Sequence, residues 1–339
     1  MRKAFYCATI KTDYNKGVSK MKKAAKALLA LAGTAAAGVG AAYGSLVLAD
    51  EFLLNRKLEL PKDVMAKVSK CDLTNLDELL ENNLNWLEAY GYKKYYMSSD
   101  RGERLVGYLM TPEKKSNTYV FGIHGYRADG RKEFCGFAQY YLKRGMNVFF
   151  VDHIASGASE GKYCSLGYYE AQDTIKWLYH MGEIFGNDIK VIVHGVSMGA
   201  AIAAQISASS LPDYVKMMVL DCGYTSAREM ITEKMRGIGI ADERIIDWLN
   251  NVNKRRMGFD IDEISPIKAV KFAKIPMLFV HGREDKFVPW EMSKRNYDAC
   301  ASENKELLII DGADHVQCFV EDPETYVNKL DEWIEKFVK

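Results

Sequence analysis

The pentapeptide Gly195-Val196-Ser197-Met198-Gly199 constrains this chain more than any other stretch, because of what flanks it. Ahead of it, Ile189-Lys-Val-Ile-Val-His194 is a short β-branched run that reads as a buried strand. Behind it, Ala200 to Ala208 is small, helix-permissive and apolar on one helical face. A chain passing from strand to helix within these few residues turns so sharply that only glycines fit beside the serine. The turn lifts Ser197 Oγ off the sheet edge. The helix that follows points backbone N–H groups at negative charge forming there. An α/β fold with Ser197 as a candidate nucleophile is the expectation.

A serine hydroxyl needs a base, an orienting acid and an oxyanion site. Of six histidines, His315 follows the apolar run Glu306-Leu-Leu-Ile-Ile310 in Asp311-Gly-Ala-Asp-His315, where an α/β sheet delivers groups to its carboxyl edge. Asp285 follows the run Met277-Leu-Phe-Val280, in His281-Gly-Arg-Glu-Asp285. The order Ser197, Asp285, His315 is the one a strand–elbow–helix fold of this kind uses. Glu284 and Asp221, the latter ending the run Met217-Met-Val-Leu220, are competing acids. Asp314 reads as a loop residue bonding its own backbone. His194 and His281 end strands before glycines and His180 lies in a helical stretch, so all three read as structural; His153 is a candidate for the pocket border. Tyr119-Val-Phe-Gly-Ile123 is a strand ending in His124-Gly125-Tyr126, and the loop at that place gives one oxyanion N–H. Tyr126 N–H therefore pairs with Met198 N–H as the candidate oxyanion hole.

The segments His124-Gly-Tyr126, Gly195-Val-Ser-Met-Gly199, Asp221-Cys-Gly-Tyr-Thr-Ser226, Gly282-Arg-Glu-Asp285-Lys-Phe-Val-Pro289 and Gly312-Ala-Asp-His315 occur in that order. Together they resemble the serine-hydrolase branch of the α/β-hydrolase superfamily. More narrowly, the chain resembles membrane-anchored bacterial hydrolases of the serine aminopeptidase, esterase and lipase group, from about Tyr92 onward. The resemblance implies a triad of Ser197, Asp285 and His315, an oxyanion hole of Tyr126 and Met198, and no metal or organic cofactor. It departs at Asp152-His-Ile-Ala-Ser-Gly157, where relatives carry Asp-x-Arg-Gly-His-Gly, which weakens expectations about substrate but not about the triad.

A chain of 339 residues with 48% apolar content can bury one large α/β core. A net charge near +1, without basic clusters in the body of the chain, makes no case for nucleic acid. The seven scattered cysteines form neither a zinc motif nor a disulfide framework.

The N-terminus is organised differently. Residues 1–26 are rich in lysine, Ala27–Ala49 is uncharged, and Asp50 and Glu51 follow at once. That span is long enough to cross a bilayer, and the positive-inside rule places the rest of the chain outside the cytoplasm. A signal peptide cleaved after Ala49 is the rival reading. Residues 50–91 read as a juxtamembrane stalk, helical from about Asn75 to Tyr90, that packs on a catalytic domain at 92–339.

Strands are expected at about 93–98, 104–110, 118–124, 147–151, 189–194, 215–221, 276–281 and 306–311, with helices between them covering both faces of a mostly parallel sheet. Residues 223–264 are too long for a plain connection; two helical patterns, one with Met230, Ile231 and Met235 and one with Ile245, Ile246, Trp248 and Leu249, suggest a small cap. The expectation is a serine hydrolase acting on small carboxylic esters. Amide or peptide cleavage, acyl transfer, and a non-catalytic membrane-tethered binding module are the alternatives.

Overall fold

The structure, a computed structural model, describes Gly44, Val47, Leu48, Asp50, Glu51, residues 53–56, 77–237 and 242–339. The basic tail and nearly all of the uncharged 27–49 span lie outside the described residues. Among the described residues no helix is long and apolar enough to cross a membrane.

Eight strands form one sheet: β1 (Lys93–Ser98), β2 (Arg104–Met110), β3 (Thr118–Ile123), β4 (Asn147–Asp152), β5 (Lys190–Val196), β6 (Val215–Asp221), β7 (Met277–Gly282) and β8 (Lys305–Ile310). Their order is β1-β2-β4-β3-β5-β6-β7-β8. The β1–β2 and β2–β4 pairs are antiparallel and the rest parallel. Every residue of β4 and β7 is buried, as strands covered on both faces require.

The intervening helices are α1 (Asp77–Tyr90), α2 (Gly130–Lys143), α3 (Tyr168–Phe185), α4 (Met198–Ile206), α5 (Ala227–Gly237), α6 (Glu243–Met257), α7 (Pro266–Ala269), α8 (Trp290–Ala299), α9 (Cys318–Glu321) and α10 (Pro323–Phe337). Alternating strand residues feed two cores. Phe121, Val193, Met218 and Phe279 pack with Trp177 of α3 and Ile202 of α4. Val120, Ile192, Val219 and Val280 pack with Phe134 of α2, Leu330 of α10 and Leu87 of α1. The helix expected over about 75–90 thus docks on the sheet domain, and Arg131 and Gln139 of α2 hold Glu88 and Asn83 of α1 at 2.9 Å each.

Residues 223–264 contain α5 and α6, the two helical patterns expected there. One detail differs. Trp248 is 55% exposed, so it faces solvent while Ile246 and Leu249 of the same helix turn inward. The five described cysteines, Cys135, Cys164, Cys222, Cys300 and Cys318, are free and buried.

Candidate active site

β5 ends at Val196 and α4 begins at Met198, so Ser197 alone makes the turn, with φ 55° and ψ −116°. That is a sparsely populated conformation for a residue with a side chain, held here by its surroundings. Ser197 N–H donates to the Asp221 carbonyl at 2.7 Å. A Cβ on Gly195 would collide with the Gly199 carbonyl, and one on Gly199 with the Ile123 carbonyl of β3. The two glycines let the first turn of α4 press against β5 and β3, which is why this serine stands between them.

The loop after β8 brings His315 to the serine. His315 Nε2 lies 2.9 Å from Ser197 Oγ, and its Nδ1 lies 2.7 Å from Asp285 Oδ2. An ionised carboxylate only accepts, so the proton sits on Nδ1 and Nε2 is left to accept from the serine hydroxyl. Asp314 Oδ1 receives the N–H groups of His315 (2.8 Å) and Lys286 (3.0 Å), tying the His315 loop to the Asp285 loop.

Asp285 is saturated with donors. Its Oδ1 accepts from the N–H groups of Phe287 and Val288 at 2.8 and 2.7 Å. Its Oδ2 is shared by His315 Nδ1 and by His281 Nε2, the latter at 3.0 Å. Burial alone would raise this carboxyl. The adjacent His315 imidazole and the hydrogen bonds from His281 and His315 more than offset that, and hold it well below the usual carboxylate range. Asp221, the competing acid, lies elsewhere: its Oδ2 accepts from Tyr326 O–H at 2.8 Å, and burial pushes its carboxyl up to about 6. No hydrogen bond of Glu284's side chain to His315 occurs among the described residues.

His281 is the site residue that sequence reasoning missed. By sequence a strand-end histidine, it sits four residues before Asp285 with its side chain wholly buried. Its Nδ1 lies 2.6 Å from Ser293 Oγ, while its Nε2 faces Asp285 Oδ2 and the Val288 carbonyl, fixing the proton on Nε2. A buried histidine one turn upstream of a candidate acid was the available signal.

The His124–Tyr126 loop lies across from the serine. The space a Cβ would take on Gly125 is bounded by Ser197 Cβ and Glu133 Oε2, each at 3.2 Å. Glu133 Oε2 accepts Gly125 N–H at 3.1 Å, and burial pushes that carboxyl up to about 7. His124 Nδ1 donates to the Gly125 carbonyl at 2.8 Å, and its Nε2 accepts from His153 N–H at 3.1 Å. Because a trans peptide sets C=O and N–H in opposite directions, fixing the Gly125 carbonyl fixes the direction of Tyr126 N–H. His153, read as a pocket-border candidate, is buried with its ring 4.3 Å from that of His124. His194 holds Tyr141 and Tyr326 at 2.9 and 3.3 Å, the structural role expected of it.

Where the sequence departs from the Asp-x-Arg-Gly-His-Gly pattern, Asp152 is a structural hub. It accepts from Gly130 N–H (2.9 Å), Tyr108 O–H (2.7 Å) and Ala158 N–H (2.7 Å).

A serine raised between strand and helix at the carboxyl edge of this sheet makes the protein an α/β-hydrolase. The pattern of the prolyl oligopeptidase family matches residues 133–339, and the chain belongs to that family. Over 325 residues it is 24% identical to the uncharacterized protein YqkD of Bacillus subtilis, covering 93% of this chain and 98% of YqkD. It is 26% identical over 256 residues to the Arabidopsis thaliana alpha/beta hydrolase domain-containing protein WAV2, covering 73% of this chain and 79% of WAV2. Among solved structures, the Pyrococcus furiosus esterase Pf2001 matches with a TM-score of 0.60 and 20% identity, over 74% of this chain and 93% of that one.

Proposed function

We propose that this protein is a serine hydrolase that cleaves carboxylic esters through an acyl-enzyme. The observation that carries the reading is the continuous relay from Ser197 Oγ through His315 to Asp285, at 2.9 and 2.7 Å. Ser197 attacks the ester carbonyl as His315 Nε2 takes its proton; the proton passes to the leaving alcohol, and water then releases the acid by the same steps. Asp285 keeps the imidazole in the required tautomer. The N–H groups of Tyr126 and Met198 hold the oxyanion, each such donor contributing about 2.7–4 kcal/mol to the transition state. The family's name favours a second arm, cleavage of amides or peptides on the same residues.

The test is labelling of the purified protein with a fluorophosphonate, with turnover measured on esters and on matched aminoacyl amides. Labelling should map to Ser197, Ser197→Ala should abolish both labelling and turnover, and esters should be cleaved faster than amides. Labelling at another serine, or activity surviving in Ser197→Ala, would overturn the assignment.

We further propose that residues 27–49 anchor the chain in a membrane, that 92–339 is the catalytic domain, and that 223–264 caps it. The uncharged span with lysines on its leading side supports the first of these.

A further inference from the structure

A third acid stands near the serine, and the relay through His315 makes no use of it. Glu133 lies in the first turn of α2, and its Oε2 accepts Gly125 N–H at 3.1 Å. The peptide on the other side of Gly125 is held separately. Its carbonyl accepts from His124 Nδ1 at 2.8 Å and from Ala128 N–H at 3.3 Å. Gly125 is thus a joint between two peptide planes, and a glycine turns freely about both of its backbone bonds. Glu133 stops the rotation on one side and His124 on the other. Tyr126 N–H, the candidate oxyanion donor, belongs to the second plane, so it keeps its aim only while both grips hold.

The joint is also tight. A Cβ on Gly125 would lie 3.2 Å from Glu133 Oε2, 3.2 Å from Ser197 Cβ and 3.3 Å from the Val196 carbonyl. The carboxyl and the nucleophile's Cβ are therefore no more than twice 3.2 Å apart. At that range the charge state of Glu133 bears on any step that builds an oxyanion beside Ser197. Among the described residues no cation pairs with it. Asp129 and Cys135 act on it from α2 and Asp221 from β6. Burial keeps the His124 ring beside Gly125 neutral, its pKa pushed down to about 3.

We propose that Glu133 is a positioning residue of the oxyanion hole: uncharged, it aims Tyr126 N–H through Gly125, and ionised, it opposes the oxyanion. The inference rests on Ser197 being the nucleophile, and its test separates the two. Burial pushes the carboxyl up to about 7, which sets where the change is read. His315 acts as a base only when unprotonated, so it governs the acid limb of the profile and Glu133 the alkaline one.

The experiment measures kcat and KM for one ester from about pH 5 to 9 in the full-length protein, with fluorophosphonate labelling of Ser197 followed in parallel. Wild-type kcat should fall about tenfold or more between roughly pH 6 and 8.5, with KM within about twofold. Glu133→Gln keeps an acceptor for Gly125 N–H and cannot ionise; it should match wild type at low pH and lose the alkaline fall. Glu133→Leu strands Gly125 N–H and should lower kcat about 10- to 100-fold at every pH, with KM within about twofold. Asp221→Asn removes an acid that raises the Glu133 carboxyl, so it should move the fall to lower pH without abolishing it. Should Glu133→Leu fold poorly, the Glu133→Gln profile decides. Absence of the fall in wild type, its persistence in Glu133→Gln, its loss in Asp221→Asn, or wild-type kcat in Glu133→Leu would each overturn the inference while leaving Ser197 labelled. Failure of the wild-type protein to label at Ser197 would instead remove the functional reading beneath it.

Discussion

His281 and His315 donate to the same atom, Asp285 Oδ2, at 3.0 and 2.7 Å. His281 does not reach the serine, so its part is to hold the carboxylate. A hydrogen bond to a charged group contributes about 1.5–3 kcal/mol. His281→Phe should therefore lower kcat by about 10- to 100-fold with KM within twofold, and His281→Gln, which keeps a donor, should recover part of the loss. Steady-state kinetics on one ester decides it; a raised KM with kcat intact would place His281 in substrate binding instead.

The two carboxylates behind the serine should separate cleanly. Asp285→Asn should cut kcat by about 10⁴, because the imidazole loses the partner that fixes its tautomer. Asp221→Asn should cost less than tenfold, since its Oδ2 bonds Tyr326 and not His315. Reversed effects in the same assay would put the acid on β6.

Glu133 gives a pH signature. Burial raises its carboxyl from 4.5 to about 7, so the folded chain holds this proton more tightly than the unfolded one. Its favourable contribution is present below about pH 4.5 and is lost as pH rises to about 7, a cost of order 3 kcal/mol above that. Glu133→Gln, which keeps an acceptor for Gly125 N–H, should be more stable than wild type at pH 8, and the gap should close by pH 4.5. Denaturant titrations at both pH values measure this. A gap that widens on acidification would show that the carboxylate is the favoured form.

The full-length protein should fractionate with membranes, resist carbonate extraction, and expose its catalytic domain to protease added outside the cell. A chain starting at Asp50 should be soluble and keep its esterase activity, since Tyr126, Ser197, Asp285 and His315 all lie beyond residue 120. Mass spectrometry of the native N-terminus separates anchor from leader. A mature chain beginning at Asp50 means a cleaved signal peptide, and intact chain in the soluble cytosolic fraction removes both readings.

The strands were legible because buried parallel strands are apolar runs, and Val191-Ile-Val193 or Leu278-Phe-Val280 show this without help. Their order was not. Nothing in the run Asn147–Asp152 says that it lies between β2 and β3, because that place is set by crossovers rather than by local pattern. Ser197 was legible because its glycines answer to a steric demand. Asp285 and His315 followed from chain order. His281 escaped although its partners Asp285, Val288 and Ser293 are near in sequence, because a strand-end histidine looks the same whether or not its ring turns onto the acid. Residues 50–56 escaped because their contacts lie far along the chain. Arg256 reads locally as one of three basic residues closing a helix, a surface feature, until Asp50 and Glu51 arrive from the other end. Leu53 and Leu54 read as part of a stalk for the same reason.

The grip of Arg256 on Asp50 spans 206 residues of sequence. At roughly 5–20 residues per second of synthesis, Asp50 leaves the ribosome about 10–40 s before its partner exists. His315 follows later still. Leu53 and Leu54 must therefore wait, unsheltered, beside whatever holds the N-terminal span. A nascent chain therefore lacks His315 and the Arg256 grip together, and the Ser197–His315–Asp285 relay can close only once nearly the whole chain has been made.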